Sequence, residues 1–303
     1  MFIKPKPAAD DFTEDMLPHT RKEVFFDVLK LHWTKFLLLG LISLIFSVPL
    51  FVCAIFKDLY LLTAYSELKG DELVNQVRNI NNLFAAINIP CYLIYFVGFC
   101  ALARIIKLYA FEEPVSLSTD FAKGCKQNIK QYLLLGLFFA VIVFGCSYFR
   151  SASLTAEGGG VVWNLGLIPT VVFSLIFAPI GAYMTVTQSV YAISFRLNIK
   201  YGFILYSKNI FKTLLAALCC FVPFILQIFP LISGSVFYVH IVGYLICPFI
   251  VPIIMLGFWL FTYNRLDMAI NKDYYPQLVN KGTVPKSLQE EKEVSLLNKN
   301  NDL

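Results

Sequence analysis

The chain has 303 residues, of which 58% are hydrophobic and only 15% are charged, with a formal net charge of +5. Soluble domains are about 45–50% apolar and about 25% charged, so this composition excludes an ordinary soluble core. The charges cluster between long uncharged stretches, which is typical of a polytopic membrane protein. Nucleic-acid binding would need a basic patch on a folded polar domain, which the sequence lacks, so no nucleic-acid partner is expected.

Six uncharged stretches are long enough to cross a hydrocarbon core about 30 Å thick, which needs about 20 helical residues. Backbone polar groups in lipid are satisfied only in helices or closed barrels, and these stretches lack the alternation of barrel strands. The sequence therefore predicts an all-α membrane protein with six transmembrane helices. The predicted spans lie near Phe36–Phe56, Leu83–Ala103, Tyr132–Phe149, Val161–Gln188, Thr213–Ser233 and Val239–Phe261.

Lysine and arginine residues predict the orientation of these spans. Of the 25 basic residues, 21 fall on one side and 4 on the other. Basic residues are retained in the cytoplasm, so we expect a multi-pass plasma-membrane protein with both termini cytoplasmic. Residues 1–20 are predicted to be a flexible cytoplasmic leader and 21–275 the membrane domain. Residues 276–303 are polar and are predicted to form a disordered cytoplasmic tail.

The stretch before the first span, Arg21–Lys35, is amphipathic, because Phe25, Val28, Leu29 and His32 recur at helical spacing. This pattern predicts a helix lying on the membrane surface. The link Lys57–Asn82 after the first span has a short helical pattern of its own.

A weak internal repeat favours a simple architecture for the membrane domain. Residues 32–41 align with 128–137 and, less well, with 209–218; each copy joins a polar lead-in to an odd-numbered span. This repeat predicts three helical hairpins, each preceded by a cytoplasmic interfacial helix.

The patterns that carry catalysis or hold metals are missing from the sequence. It has no HExxH, no GxSxG and no Walker lysine motif, and its eight cysteines form no CxxC. The three histidines, His19, His32 and His240, are far apart in the predicted topology. We therefore expect a protein that is not an enzyme and that holds no cofactor or metal.

Neutral polar residues in the predicted spans leave two interpretations open. Thr185, Thr187, Gln188 and Ser189 crowd the end of the fourth span. One interpretation is a groove for a neutral solute, which would make the protein a transporter or channel. The other, which we favour, is hydrogen bonding between helices, typically about 0.6 kcal/mol per contact.

Charged residues on the predicted cytoplasmic side are candidates for docking a partner protein or for contacting anionic lipid. Between the second and third spans, Pro114 ends one helix, Ser118 or Thr119 is predicted to cap the next, and Asp120 suits its positive N-terminus. Membrane contact explains the lysines here, but it does not explain Glu112 and Glu113. The candidate partner-docking or membrane-surface residues are Glu112, Glu113, Asp120, Lys126, Lys130, Arg196, Lys200 and Lys208.

The stretch Gly98–Phe139 resembles the YesL-like family of uncharacterised bacterial membrane proteins. In that family a span ends in a basic helix, a Glu-containing turn follows, and an Asp-Phe pair leads a Lys/Asn/Gln-rich helix into the next span. The matching residues here are Arg104 and Lys107, Glu112, Glu113 and Pro114, Asp120 and Phe121, and Lys126, Asn128, Lys130 and Gln131; Phe46–Pro49 also resembles the end of the family's first span.

The resemblance implies a membrane-embedded protein of unknown biochemistry, of a kind thought to assist carbohydrate uptake in Gram-positive bacteria. The family has no assigned active site, so no functional residue is carried over. We expect a non-catalytic accessory or regulator of another membrane system, with a membrane-transport protein as partner. The alternative is a transporter or channel for a neutral small solute.

Overall fold

The computed structural model describes residues 17–153, 168, 172–216 and 246–283, and contains no strand in those ranges. Four long apolar helices dominate, and each has the length and composition to cross a membrane. They are α1, Arg21–Glu67; α2, Gly70–Ala110; α3, Leu117–Ser153; and α6, Cys247–Leu266. This part of the chain is therefore compatible with an all-α membrane protein.

Shorter segments complete the described fold. A π-helical turn, Phe173–Phe177, leads into α4, Ala178–Val190, and α5 follows as Phe195–Lys208. After α6 the chain continues through a π-helical turn, Asp267–Asn271, and a short helix, Lys272–Tyr274, to a 3-10 turn, Pro276–Leu278.

The helices account for part of the predicted topology. The first three predicted spans lie inside α1, α2 and α3, and the sixth lies in α6 from residue 247 onward. For the fourth span, the structure describes a shorter apolar helix, Leu175–Val190. Residues 217–245, which hold most of the fifth span and the start of the sixth, lie outside the described residues, as do 1–16 and 284–303. The number of six spans stays a prediction.

Helix α1 differs from the predicted surface helix followed by a separate span. Thr20 and Glu23 form a capping box at its start, and one helix of 47 residues then continues to Glu67. The backbone leaves helical geometry within it at His32 (φ −119°, ψ 22°). Val24 and Val28 are fully buried in the main core. The segment Arg21–Lys35 therefore packs against the protein and also has an outer face, because its apolar stripe contacts the other helices.

Helices α1 and α2 form a long antiparallel hairpin. The predicted outer link Lys57–Asn82 is helical over most of its length, since α1 ends at Glu67 and α2 begins at Gly70, where φ is +61°. Ala64, Ile80 and Phe84 form a small core of their own near this turn. At 1.5 Å per residue, the 47 residues of α1 extend about 70 Å, more than twice a hydrocarbon core.

Glycines let neighbouring helices approach closely in the apolar region. A Cβ added to Gly98 of α2 would lie 2.4 Å from the Phe46 ring of α1. A Cβ added to Gly181 of α4 would lie 2.1 Å from the Phe139 ring of α3. Small residues at such contacts are a common means of packing membrane helices, where no hydrophobic force joins them.

Helix α5 covers most of the third predicted lead-in, and it packs against a neighbouring helix. It runs antiparallel beside α4: Asn198 lies by Thr187, Gly202 by Ile180, and the Tyr206 hydroxyl donates to the Leu175 carbonyl at 2.7 Å. One face of α5 is buried and consists of Asn198, Gly202, Leu205 and Tyr206. Hydrophobic periodicity alone does not show whether such a face contacts another helix or lipid.

Candidate functional site

The ends of α1, α2 and α6 meet in one group of aromatic and charged side chains, which we call the helix-end cluster. Arg21, at the start of α1, lies 3.2 Å from the Asp267 carboxylate after α6. Its guanidinium also covers the Tyr263 ring at 4.9 Å. The Trp259 and Tyr263 rings stack with centroids 4.8 Å apart. The helix-end cluster consists of Arg21, Phe111, Glu113, Trp259, Tyr263, Asp267 and Lys281.

The Arg21–Asp267 ion pair is largely shielded from solvent, with side-chain exposures of 13% and 9%. The Asn271 amide also donates to Asp267 at 2.7 Å. Buried charges are tolerated when they are paired and hydrogen-bonded. The pair therefore fixes the start of α1 against the end of α6, two segments that are far apart in the sequence.

The chain after Pro276 also joins the helix-end cluster, although the sequence predicted a disordered tail from this point. The Lys281 carbonyl accepts a hydrogen bond from Arg21 at 2.5 Å, and the Lys281 ammonium lies 2.5 Å from Glu113. A Cβ added to Gly282, where φ is +80°, would lie 2.5 Å from the Ala110 carbonyl oxygen. Residues 276–283 are therefore held against the end of α2, while 284–303 lie outside the described residues.

The two glutamates of the α2–α3 turn have different surroundings. Glu113 is paired with Lys281, so its charge is used inside the fold. Glu112 adopts a left-handed backbone conformation (φ 55°), and its Oε1 atom is shielded from solvent without a hydrogen-bond partner among the described residues. Burial, and secondarily the charge of Asp27, raise the pKa of the Glu112 carboxyl above its ordinary value.

A cavity of about 310 Å³ lies between α1 and the α2–α3 turn, and we call it the turn cavity. Lys35 is exposed and has no ion-pair partner in the described part of the chain. The His32 ring packs on the Tyr109 ring with centroids 4.8 Å apart. Both signs of charge therefore face one space. The turn cavity is lined by His32, Lys35, Tyr109, Glu112, Glu113, Pro114 and Val115.

Asp120 has a structural position at the start of α3. Its carboxylate accepts a hydrogen bond from the Ser116 backbone N–H at 2.9 Å and lies 3.4 Å from Arg104 of α2. Because α3 begins at Leu117, the predicted caps Ser118 and Thr119 lie inside the helix. Asp120 is buried, so it joins α2 to α3 and is not an exposed docking residue.

The five basic candidate residues differ from Asp120, because they are neither buried nor paired within the described ranges. All are exposed, and none has a side-chain hydrogen bond or ion pair within the described ranges. On α5, Arg196, Lys200 and Phe203 share the face turned away from α4. These residues therefore form two outward basic faces, one on α3 and one on α5, which we together call the basic surface. The basic surface consists of Lys126, Lys130, Arg196, Lys200 and Lys208.

The neutral polar residues at the end of α4 hydrogen-bond between helices. Thr187 donates to the Asn198 amide oxygen of α5, and the Asn198 nitrogen donates to Gln188 at 3.3 Å. The Trp259 indole of α6 donates to the Ser189 hydroxyl at 2.9 Å. These three α4 side chains join helices, in agreement with the interpretation that the sequence favoured.

A second cavity, of about 360 Å³, lies among α2, α3, α4 and α6. Its walls are mostly aromatic and aliphatic, with Phe96, Phe139, Phe258 and Thr185 among them. Thr185 uses its hydroxyl to donate to the Ala182 carbonyl at 2.7 Å, so little polarity faces this space. The described residues also contain no group of three or more His, Cys, Asp or Glu side chains placed to hold a metal.

No family model, curated protein or solved structure matches the chain. The YesL-like assignment therefore stays a prediction from Gly98–Phe139.

Sequence reasoning identified Glu112, but it missed Lys35, His32 and Asp27 as its neighbours. The sequence carries no local signal of the cavity, because His32 fits the amphipathic pattern of Arg21–Lys35 and the break at His32 lies in the backbone.

Proposed function

We propose that the protein is a non-catalytic accessory or regulator of another membrane system, such as one for carbohydrate uptake. In this proposal it spans the plasma membrane six times with both termini in the cytoplasm. The basic surface binds anionic lipid and an acidic face of a membrane-transport partner.

The observation that carries the proposal is the contrast between the helix-end cluster and the basic surface. The cluster pairs its charges internally and holds the ends of α1, α2 and α6 together. The basic surface leaves five cations facing outward without ion pairs within the described ranges. Unpaired charges on a rigid support steer and orient a complementary partner, whereas charges needed for stability are already paired.

The experiment is co-purification from mild detergent with charge-reversal variants. R196E/K200E and K126E/K130E should each lower the yield of a specifically co-purifying transport protein by about tenfold, since close interfacial charge pairs contribute on the order of 1.5 kcal/mol or more. The matched control is K69E, which reverses an exposed lysine at the far end of the α1–α2 hairpin.

A partner that is retained equally by all variants would overturn the role of the basic surface. Recovery of the protein alone, under conditions that preserve known transporter complexes, would overturn the accessory function itself.

A transporter or channel for a neutral solute remains the alternative. The neutral polar residues of the spans motivated it, but Thr187, Gln188 and Ser189 use their polar groups between helices. Flux above that of empty liposomes, measured with a panel of neutral solutes, would favour the alternative over the accessory function.

A further inference from the structure

We propose that the turn cavity binds the head group of a zwitterionic phospholipid, with the ammonium on Glu112 and the phosphate on Lys35. The two residues approach the cavity from different elements, Lys35 from α1 and Glu112 from the α2–α3 turn. The inference is independent of the proposed partner docking, because none of the basic-surface residues lines this cavity.

Glu112 has the properties of a residue held ready for a cation. Its left-handed backbone conformation is unfavourable for a glutamate and is maintained by the surrounding structure. Its shielded Oε1 atom lacks a hydrogen bond within the described part of the chain. A primary ammonium supplies both the missing donor and the opposite charge. Glu113 cannot take this role, because Lys281 already neutralises it.

Lys35 supplies the complementary charge for an anion. Its ammonium is exposed and has no ion pair in the described ranges. Lysine binds phosphate as a compact point charge with three donors. The His32 and Tyr109 rings, with centroids 4.8 Å apart, line the same cavity as the two charges. A ligand that carries a phosphate and an ammonium a few atoms apart can pair with both residues, the phosphate with Lys35 and the ammonium with Glu112.

The position of the turn cavity favours a lipid as the source of this zwitterion. Lys35 directly precedes Phe36, where the first predicted span begins. The neighbouring Trp33 is 52% exposed, as an interfacial aromatic anchor would be. About 310 Å³ is at the small end of ligand pockets, which suits a head group whose acyl chains remain in the bilayer.

The test is lipid retention by the delipidated full-length protein, measured by native mass spectrometry. Phosphatidylethanolamine, phosphatidylcholine and phosphatidylglycerol with identical acyl chains are compared. We expect phosphatidylethanolamine to be retained about tenfold more strongly than phosphatidylcholine, because a quaternary ammonium cannot donate hydrogen bonds to Glu112. Phosphatidylglycerol reports anionic-lipid binding to the exposed lysines.

Two variants and a control localise the effect. E112Q and K35A should each lower phosphatidylethanolamine retention about tenfold by removing one charge. E112Q should leave phosphatidylglycerol retention unchanged. K30A removes an exposed cation from the same helix outside the cavity and should behave as the parent protein. Thermal unfolding of each variant, measured in parallel, distinguishes loss of lipid from unfolding.

Several results would overturn the inference. One is equal retention of phosphatidylethanolamine and phosphatidylcholine, and another is an unchanged lipid preference in E112Q. Free phosphoethanolamine separates the two sources of the same chemistry. If it raises the unfolding temperature of the delipidated protein as much as the lipid does, the site takes a soluble zwitterion and the lipid assignment is wrong.

Discussion

Adjacent residues of like charge have opposite roles in the α2–α3 turn. Glu113 forms an ion pair with Lys281, whereas Glu112 is strained and its Oε1 atom lacks a hydrogen bond within the described chain. Sequence reasoning predicted that this pair differs from the lysines around it, because membrane contact does not require acids. It could not distinguish the two glutamates, since the residues around them come from residue 281 and from α1, far away along the chain.

Glu112→Gln should stabilise the protein at neutral pH. Because the folded-state pKa of Glu112 is raised, the folded protein binds the proton more tightly than the unfolded chain does. The parent therefore loses stability as the pH rises from about 4, an unfolded glutamate's ordinary pKa, through the raised folded value. The variant lacks this loss, so the two unfolding temperatures should converge in acid and separate near pH 7.

Thermal unfolding in detergent across this pH range measures the effect of Glu112→Gln. Glu67→Gln serves as the control, because Glu67 is exposed at the end of α1. A glutamine variant that is less stable than the parent at pH 7 would show that the carboxylate has a stabilising partner.

Removing one member of the Arg21–Asp267 pair should be more damaging than removing both. Arg21→Met or Asp267→Asn leaves a buried charge without its partner, a change that typically costs about 3–5 kcal/mol. The double variant removes both charges, so its loss should be smaller than either single loss. Unfolding temperatures of the four proteins complete the cycle, and additive losses would mean that the two charges do not interact.

At the scale of whole helices, hydropathy predicted where the long helices lie. It did not predict which helices contact each other. Long uncharged stretches located α1, α2, α3 and α6, because lipid selects for length and apolarity. The same signal did not predict the helix contacts of α5 and of the start of α1, because a buried face and a lipid-facing one look alike in sequence. Packing against a neighbouring helix, as at Gly202 or Val24, depends on the fold as a whole.

Two helical glycines should respond differently to the same substitution. At Gly98 a new Cβ would overlap the Phe46 ring and its Cβ, so Gly98→Ala should destabilise the protein by about 1–3 kcal/mol. At Gly145 nothing lies within 4 Å, so Gly145→Ala should be neutral or stabilising by up to about 1 kcal/mol. The comparison uses thermal unfolding in one detergent. Equal losses at both positions would contradict the close contact of α1 and α2.

At the scale of the whole molecule, charge predicts on which side the helix ends lie. Local sequence patterns do not predict which helix ends contact each other. The distribution of 21 basic residues against 4 predicts which helix ends share a side. It agrees with the grouping of Arg21, Glu113 and Lys281 in the helix-end cluster. How these ends pack could not be predicted, because Arg21 and Asp267 are 246 residues apart.

Single cysteines in a cysteine-free background should show two-sided labelling. A membrane-impermeant maleimide should label Lys69→Cys in intact cells, and it should label Lys130→Cys, Lys200→Cys and Asp302→Cys only after permeabilisation. Labelling is expected to follow charge because basic residues stay in the cytoplasm. Reaction at Asp302→Cys in intact cells would imply an odd number of spans and refute the predicted topology.

The length of α1 gives the molecule a mechanical property. Helices α1 and α2 pack against one another along the hairpin. We therefore expect a displacement of its end near Glu67 to tilt both helices together. The backbone break at His32 is a natural pivot for that tilt, and the residue beside this pivot in the turn cavity is Lys35. A small rotation there would change the gap between Lys35 and Glu112. The segment of α1 before this pivot is held by Arg21 in the helix-end cluster, so the cavity lies at the pivot itself.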